Sequence, residues 1–203
     1  MKYAFIFDFD GVLFNTMPAH FSAYQQALAE VNVPIDEQQF YSQAGMTGQD
    51  QLRYFAKKAG VVIDIQRVYE RTREIQRTHP QPTESIACNL DLLKLLSSAG
   101  VPVAIATGSS RARVWPILQE HAVEVDAILT AEDARRGKPF PDLFLRAAQA
   151  LGVAPANCIV IEDSDAGIQA AIAAGMKAYR FFGNSSGGQN VPFTKIPGNR
   201  LGS

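Results

Sequence analysis

Two aspartates set two residues apart, Asp8 and Asp10, follow an apolar run, Tyr3-Ala4-Phe5-Ile6-Phe7, in the stretch Asp8-Phe9-Asp10-Gly11-Val12. The run has the character of a strand buried on both faces, and in an extended chain positions i and i+2 point to one side. The two carboxylates would then share a face at the strand's C-terminal end. Like charges that close are relieved by a cation or a shared proton. A divalent, oxygen-seeking metal fits, with Gly11 giving the backbone room to turn beside it. A solvated turn closing the strand is the plainer alternative for this stretch alone.

Three more places have chemistry in them. Thr107-Gly108-Ser109-Ser110 ends a second apolar run and precedes a helical pattern. Exposed backbone N–H groups and the helix dipole there favour an anion, although Ser109 and Ser110 could simply cap the helix. Lys138 lies between Gly137 and Pro139 in a loop, where a lysine is ordinarily solvated. It is not the lysine of a nucleotide-binding P-loop, which needs Gly and Ser or Thr where this chain has Glu132 and Pro139. Glu162-Asp163-Ser164-Asp165, with Gly167 behind, ends another apolar run. Ser164 or Asp165 suits a helix cap, which leaves Glu162 and Asp163 for other work.

The elements that must carry these groups alternate. Strand runs at Val101–Ala106, Ala127–Thr130, Cys158–Ile161 and Lys177–Phe181 are separated by helical patterns at Leu90–Ala99, Arg111–His121, Pro141–Leu151 and Asp165–Ala174. Gly100, Gly152 and Gly175 supply stop signals just past three of the helices. Pro116 either kinks its helix or marks a later start. The alternation predicts an α/β fold, a Rossmann-like doubly wound parallel sheet. Ligand sites in such sheets form beyond the strands' carboxyl ends, where Asp8, Asp10, Thr107, Lys138, Glu162 and Asp163 all fall. Carboxylates from two strands can hold Mg²⁺ while Thr107, Lys138 and backbone N–H groups hold a phosphoryl group's oxygens, which is a phosphoryl-transfer site.

Between the first two strands the rhythm breaks. Residues 16–85 carry helical patterns only, with Pro18 at a first helical position, Phe21, Tyr24, Leu28 and Val31 at helix spacing, and further patterns at Gln49–Ala59 and Ile65–Arg77. A connection that long is no ordinary crossover, so it reads as an inserted helical cap on two hinge segments, Phe14–Met17 and Pro80–Ser85. Residues 1–15 and 86–182 would form the catalytic core, and the Gly- and Pro-rich residues 183–203 a tail outside it.

Composition limits the function. Nineteen basic and twenty acidic residues leave a formal charge of −1, so no global field favours nucleic acid or an anionic membrane, and a phosphorylated ligand must be held locally. Cys88 and Cys158 lack metal-ligand spacing and read as small core residues of a chain in a reducing compartment. No leader and no apolar run of membrane-spanning length precede or interrupt the pattern, so the expectation is a soluble cytoplasmic monomer without nucleic-acid or membrane partners.

With Asp8–Val12, Thr107, Lys138-Pro139 and Glu162–Gly167 in this order, the chain resembles the haloacid dehalogenase superfamily, in particular its branch similar to β-phosphoglucomutase and phosphoglycolate phosphatase with a small helical cap. The resemblance covers residues 1 to about 182. It implies that Asp8 is a nucleophile forming an aspartyl phosphate and that Asp10 is the general acid, then base. Thr107 and Lys138 would fix the phosphoryl oxygens, and Mg²⁺ would sit on Asp8, the Asp10 carbonyl and Asp163, with Glu162 as an additional or outer ligand. Gly11, Gly108, Ser109, Thr16 and His20 would line the substrate site, the last two at the cap hinge. A halide leaves unprotonated whereas an alkoxide profits from an acid, so Asp10 argues for phosphate esters over dehalogenation. A receiver domain would need its phosphorylated Asp at the third strand, where Ala127–Thr130 has none, and would lack the insert.

The segment Gly45-Met46-Thr47-Gly48-Gln49 resembles the specificity loop of that branch, but its mutases carry an arginine where Gly48 stands. Arg73 and Arg77 could supply positive charge instead, or form a solvated helix face. The expectation is a Mg²⁺-dependent phosphatase for a small phosphorylated metabolite of sugar phosphate or phosphoglycolate type. A phosphosugar mutase and a non-catalytic phosphate-binding protein are the alternatives.

Overall fold

Short apolar runs that end in polar residues become the strands of the fold. The computed structural model describes residues 3–43, 46–78, 83–181 and 194–195. In chain order the strands are β1 (Ala4–Phe7), β2 (Phe14–Asn15), β3 (Glu84–Ser85), β4 (Val103–Ala106), β5 (Ala127–Leu129), β6 (Cys158–Glu162), β7 (Lys177–Arg180) and β8 (Thr194–Lys195). The helices are α1 (Met17–Ala29), α2 (Glu37–Ser42), α3 (Gly48–Ala59), α4 (Ile65–Thr78), α5 (Ala87–Ser98), α6 (Arg111–Glu120), α7 (Asp142–Leu151) and α8 (Asp165–Ala173).

The main sheet runs β5-β4-β1-β6-β7-β8, its first five strands parallel, with β1 in the centre. Phe7 pairs in register with Ile105 on one side and Ile161 on the other, so β1, β4 and β6 end side by side. The residues that follow, Asp8, Thr107 and Glu162, therefore emerge along one edge. Helices α7 and α8 bury Leu143, Phe144, Ala147, Ile168 and Ala171 on one face of the sheet. Leu93 of α5 and Val114 and Leu118 of α6 close the other face with Phe7, Phe9 and Ile105. This is the doubly wound α/β architecture that the alternation predicts.

Helices α1 to α4 pack a separate apolar cluster around Phe40, Phe55, Leu28, Leu52 and Tyr24. They leave and rejoin the rest of the chain through a two-stranded antiparallel ribbon in which Phe14 pairs with Ser85 and Asn15 with Glu84. Asn89 Nδ2 and the Ile86 N–H donate to the carbonyls of Val12 and Leu13, tying the start of α5 to the loop after β1.

Several details depart from the sequence reading. Cys158 is buried but Cys88 is exposed: α5 starts at Ala87 rather than Leu90, and in its first turn Ala87 and Cys88 face solvent while Asn89 and Leu90 face the core. Helix α2, capped by the Asp36 carboxylate on the Gln39 N–H, is too short to show a period and is absent from the sequence reading. Pro116 lies inside α6, which begins at Arg111 all the same, so the proline does not delay the helix. Within the tail, Thr194–Lys195 pairs antiparallel with β7 and adds an edge strand. The rest of the tail, and Pro80 to Pro82 of the second hinge, lie outside the described residues.

Candidate active site

Lys138 occupies the centre of the sheet's polar edge and is not solvated. It is 2% exposed, and its ammonium donates to Asp8 Oδ1 and Glu162 Oε2, both at 2.7 Å. The second oxygen of Glu162 accepts from the Ser164 hydroxyl at 2.7 Å and the N–H groups of Ser164 and Asp163 at 3.0 and 3.1 Å. Glu162 thus holds the lysine with one oxygen and folds the β6–α8 turn with the other. Ser164 in turn caps α8 by accepting from the Gly167 N–H.

Asp8, Glu162 and Asp163 bring a carboxylate oxygen each to within 4.8 Å of one another. Three acids meet one ammonium, which leaves two negative charges uncompensated. Burial, then Glu162, pushes the Asp8 pKa up to about 8 against the pull of Lys138, and burial with Glu162 and Asp8 drives Asp163 well above the ordinary range. Burial also opposes charge on Lys138, but Asp8 and Glu162 outweigh it and hold its pKa above the ordinary value. A set of hard oxygens short of two positive charges is what a divalent cation such as Mg²⁺ fits. Asp8 and Asp163 are its natural ligands, since both Glu162 oxygens are already engaged. Gly11 makes room: its φ is +79°, and a Cβ there would stand 2.1 Å from Asp163 Oδ2.

Asp10 is held by a different set. Its carboxylate accepts from the hydroxyls of Thr16, Thr107 (3.1 Å) and Ser109 (2.6 Å), and His20 Nε2 and Arg113 Nη2 each stand 3.5 Å from Oδ1. Burial raises its pKa, but Arg113, His20 and the hydroxyls outweigh that and bring it to about 2. Burial and Arg113 lower the His20 pKa to about 3, so the ring is neutral, with Gln76 Nε2 3.3 Å from its Nδ1. Thr16 and His20 thus reach Asp10 from the first turn of α1. The Thr107 hydroxyl also accepts from the Ser109 N–H, which shapes the turn.

A cavity of about 50 Å³ lies between these groups and the helical insert. Asp8, Asp10, Thr107, Gly108, Ser109, His20, Met46 and Gly48 border it, together with Tyr24, Tyr69, Gln76, Arg73 and Arg113. Arg77 borders only a wider cleft between α1, α4 and α6, and Gly45 lies outside the described residues. Asn15 is exposed on the ribbon, and nothing in the structure gives its side chain a role.

Arg113, with Tyr24 and Tyr69, escapes the sequence reading. A signal was present: Arg113 is the third residue after the N-cap Ser110, in a first turn whose dipole disfavours cations.

The fold and this edge of acids, hydroxyls and lysine define a hydrolase of the haloacid dehalogenase class. The family model of haloacid dehalogenase-like hydrolases matches residues 5–181, and the chain belongs to that family. It is 32% identical to the fructose-1-phosphate phosphatase YqaB of Escherichia coli over 181 residues, covering 85% of this chain and 93% of that one. It is 35% identical to hexitol phosphatase A of the same organism over 175 residues, covering 84% and 79%. Among solved structures, the β-phosphoglucomutase of Clostridium difficile superposes with a TM-score of 0.76 at 26% identity, over 88% of this chain and 83% of that one.

Proposed function

We propose that the chain is a Mg²⁺-dependent phosphatase that hydrolyses a small phosphorylated metabolite through an aspartyl phosphate, as a cytoplasmic enzyme. The observation that carries this reading is the division between two carboxylates on one strand end. Asp8 sits against Lys138 within a cluster of acids fit for a cation, whereas Asp10 sits apart from that cluster among the hydroxyls of Thr16, Thr107 and Ser109. Carboxylates in such different settings suit two roles, one beside the cation and one beside the leaving group.

In the first step an ionised Asp8 oxygen attacks phosphorus, the ester P–O bond breaks, and the leaving oxygen takes a proton from Asp10. Asp10 is ionised in the empty site and acquires that proton from the monoanionic phosphate ester as it binds. In the second, Asp10 takes a proton from water, which attacks phosphorus, releases inorganic phosphate and restores the Asp8 carboxylate. Lys138 neutralises charge beside Asp8, and Thr107 and the backbone N–H groups of the turn after β4 hold the phosphoryl oxygens. The bound Mg²⁺, on Asp8, Asp163 and the Asp10 carbonyl, would supply charge neutralisation at the phosphoryl group and keep Asp8 ionised.

The mutase alternative is weakened by Gly48. A Cβ at that position would lie 2.3 Å from the Tyr24 hydroxyl oxygen and 2.6 Å from a Tyr69 ring carbon, so the arginine of the resembling mutases would have to displace both rings. Release of inorganic phosphate from p-nitrophenyl phosphate, dependent on Mg²⁺ and lost in Asp8→Asn, tests the phosphatase. Absence of release, or isomerisation of a sugar phosphate stimulated by a bisphosphate, would overturn it.

A further inference from the structure

Arg113 carries positive charge that its pairing with Asp10 engages only in part. Its Nη1 is buried and has no hydrogen-bond partner among the described residues. Its Nη2 stands 3.5 Å from Asp10 Oδ1, the long end of an ion pair, and Asp10 already accepts three hydroxyl hydrogen bonds. A guanidinium offers five donors in a planar fork matched to a carboxylate or phosphate. The two donors of Nη1 are therefore unclaimed at a place where a buried donor without a partner is costly.

The position of Arg113 says what could claim it. It borders both the small cavity above Asp8 and Asp10 and the wider cleft of about 1570 Å³ between α1, α4 and α6. A ligand whose phosphoryl group lies at Asp8 and which extends from the small cavity into the wider cleft would meet Arg113, which borders both. Arg73 and Gln76 of α4 border both spaces as well, so a second guanidinium stands nearby. Among the described residues bordering the small cavity, the only carboxylates are Asp8, held by Lys138, and Asp10, which faces Arg113 Nη2 and leaves Nη1 free. The remaining polar neighbours, Tyr24, Tyr69, Thr72 and Gln51, are neutral.

We propose that Arg113 is a specificity-determining residue, whose free donors take a second acidic group, carboxylate or phosphate, carried by the substrate. The inference rests on the phosphomonoester reading of the site and narrows its substrates to those with an anion beyond the scissile phosphate.

The test uses two matched pairs that differ in that anion: 2-phosphoglycolate against 2-hydroxyethyl phosphate, and fructose 1,6-bisphosphate against fructose 1-phosphate. A preference in the first pair identifies a carboxylate, in the second a phosphate. Wild type should favour the acidic member of one pair in kcat/KM, chiefly through KM. Arg113→Met should cut that preference by about 10- to 100-fold, the range of one charge-assisted hydrogen bond, and Arg113→Lys should restore part of it. Should the Met variant fail to fold, as melting would reveal, the Lys variant gives the reading by itself.

Calorimetric binding of the same four compounds to Asp8→Asn, with and without the Arg113 change, reads the proposal without turnover. Wild type releasing no phosphate would sink the phosphatase while leaving this binding comparison intact. Equal loss on both members of each pair, as expected of a residue that only positions Asp10, overturns the proposal. So does a wild type indifferent to the second anion, or no binding of any of the four.

Discussion

The two ends of the cavity are built on opposite principles. At the Asp8 end, three carboxylates from the ends of β1 and β6 crowd one lysine from the loop before α7, and the deficit is of positive charge. At the Arg113 end, two guanidiniums meet neutral hydroxyls and amides from helix faces, and the surplus is of positive charge. Fixed chemistry sits on the rigid sheet edge, while the choice of substrate is left to helices that can vary without disturbing it. Asp10 stands between the two, tied to Thr107 and Ser109 on one side and to Thr16, His20 and Arg113 on the other.

Lys138→Met should have the largest effect and should act at the Asp8 end alone. It leaves buried Asp8 and Glu162 without their shared cation, and breaking such a pair costs about 3–5 kcal/mol. Chemical denaturation in EDTA should show that loss, and phosphate release should vanish. A variant as stable as wild type would mean that the acids are neutral in the metal-free protein. Asp10→Asn should lower kcat by about 10² to 10⁴ while Mg²⁺ binding, followed by calorimetry, changes little. Equal losses in both would mean that Asp10 belongs to the acidic cluster after all.

Gly11→Ala should cost about 1–2 kcal/mol from its positive φ and should also weaken Mg²⁺, because the new methyl displaces Asp163. Unchanged metal affinity would remove Asp163 from the ligand set. The smallest effect is on pH dependence. Between pH 6.5 and 8 native Asp8 retains a proton that the unfolded chain has lost, so metal-free stability should fall with rising pH, by at most about 1.4 kcal/mol per unit for one proton. The lowered pKa values of Asp10 and His20 act only below this window. Mg²⁺ competes with the same proton, so the increment it adds to Tm should grow over that range. A flat EDTA profile would show that Asp8 is already ionised without metal.

What the sequence disclosed follows the same division. Asp8, Asp10, Thr107 and Glu162 were legible because strand ends announce themselves as apolar runs that stop at polar residues, and parallel strands bring those stops together. The burial of Lys138 was not legible, since a loop lysine has no period to betray which way it points. Arg113 and Tyr24 were missed for a further reason: which face of α6 or α1 meets the cavity depends on how the insert docks, a long-range property. Cys88 was misplaced because the apolar pattern shows only from Leu90 on, while the helix starts at Ala87 and turns Cys88, two residues before Leu90 and so about 200° round, to the solvent side.

The ribbon of β2 and β3 carries one more consequence. The insert departs at Asn15 and returns at Glu84, residues that face each other as a pair, so its two attachment points coincide. Residues 16–83 could be replaced by another segment, long or short, without asking any strand of the main sheet to change length or neighbour. Such an exchange would leave Asp8, Lys138, Glu162 and Arg113 in place and, among the partners of Asp10, would change only Thr16 and His20.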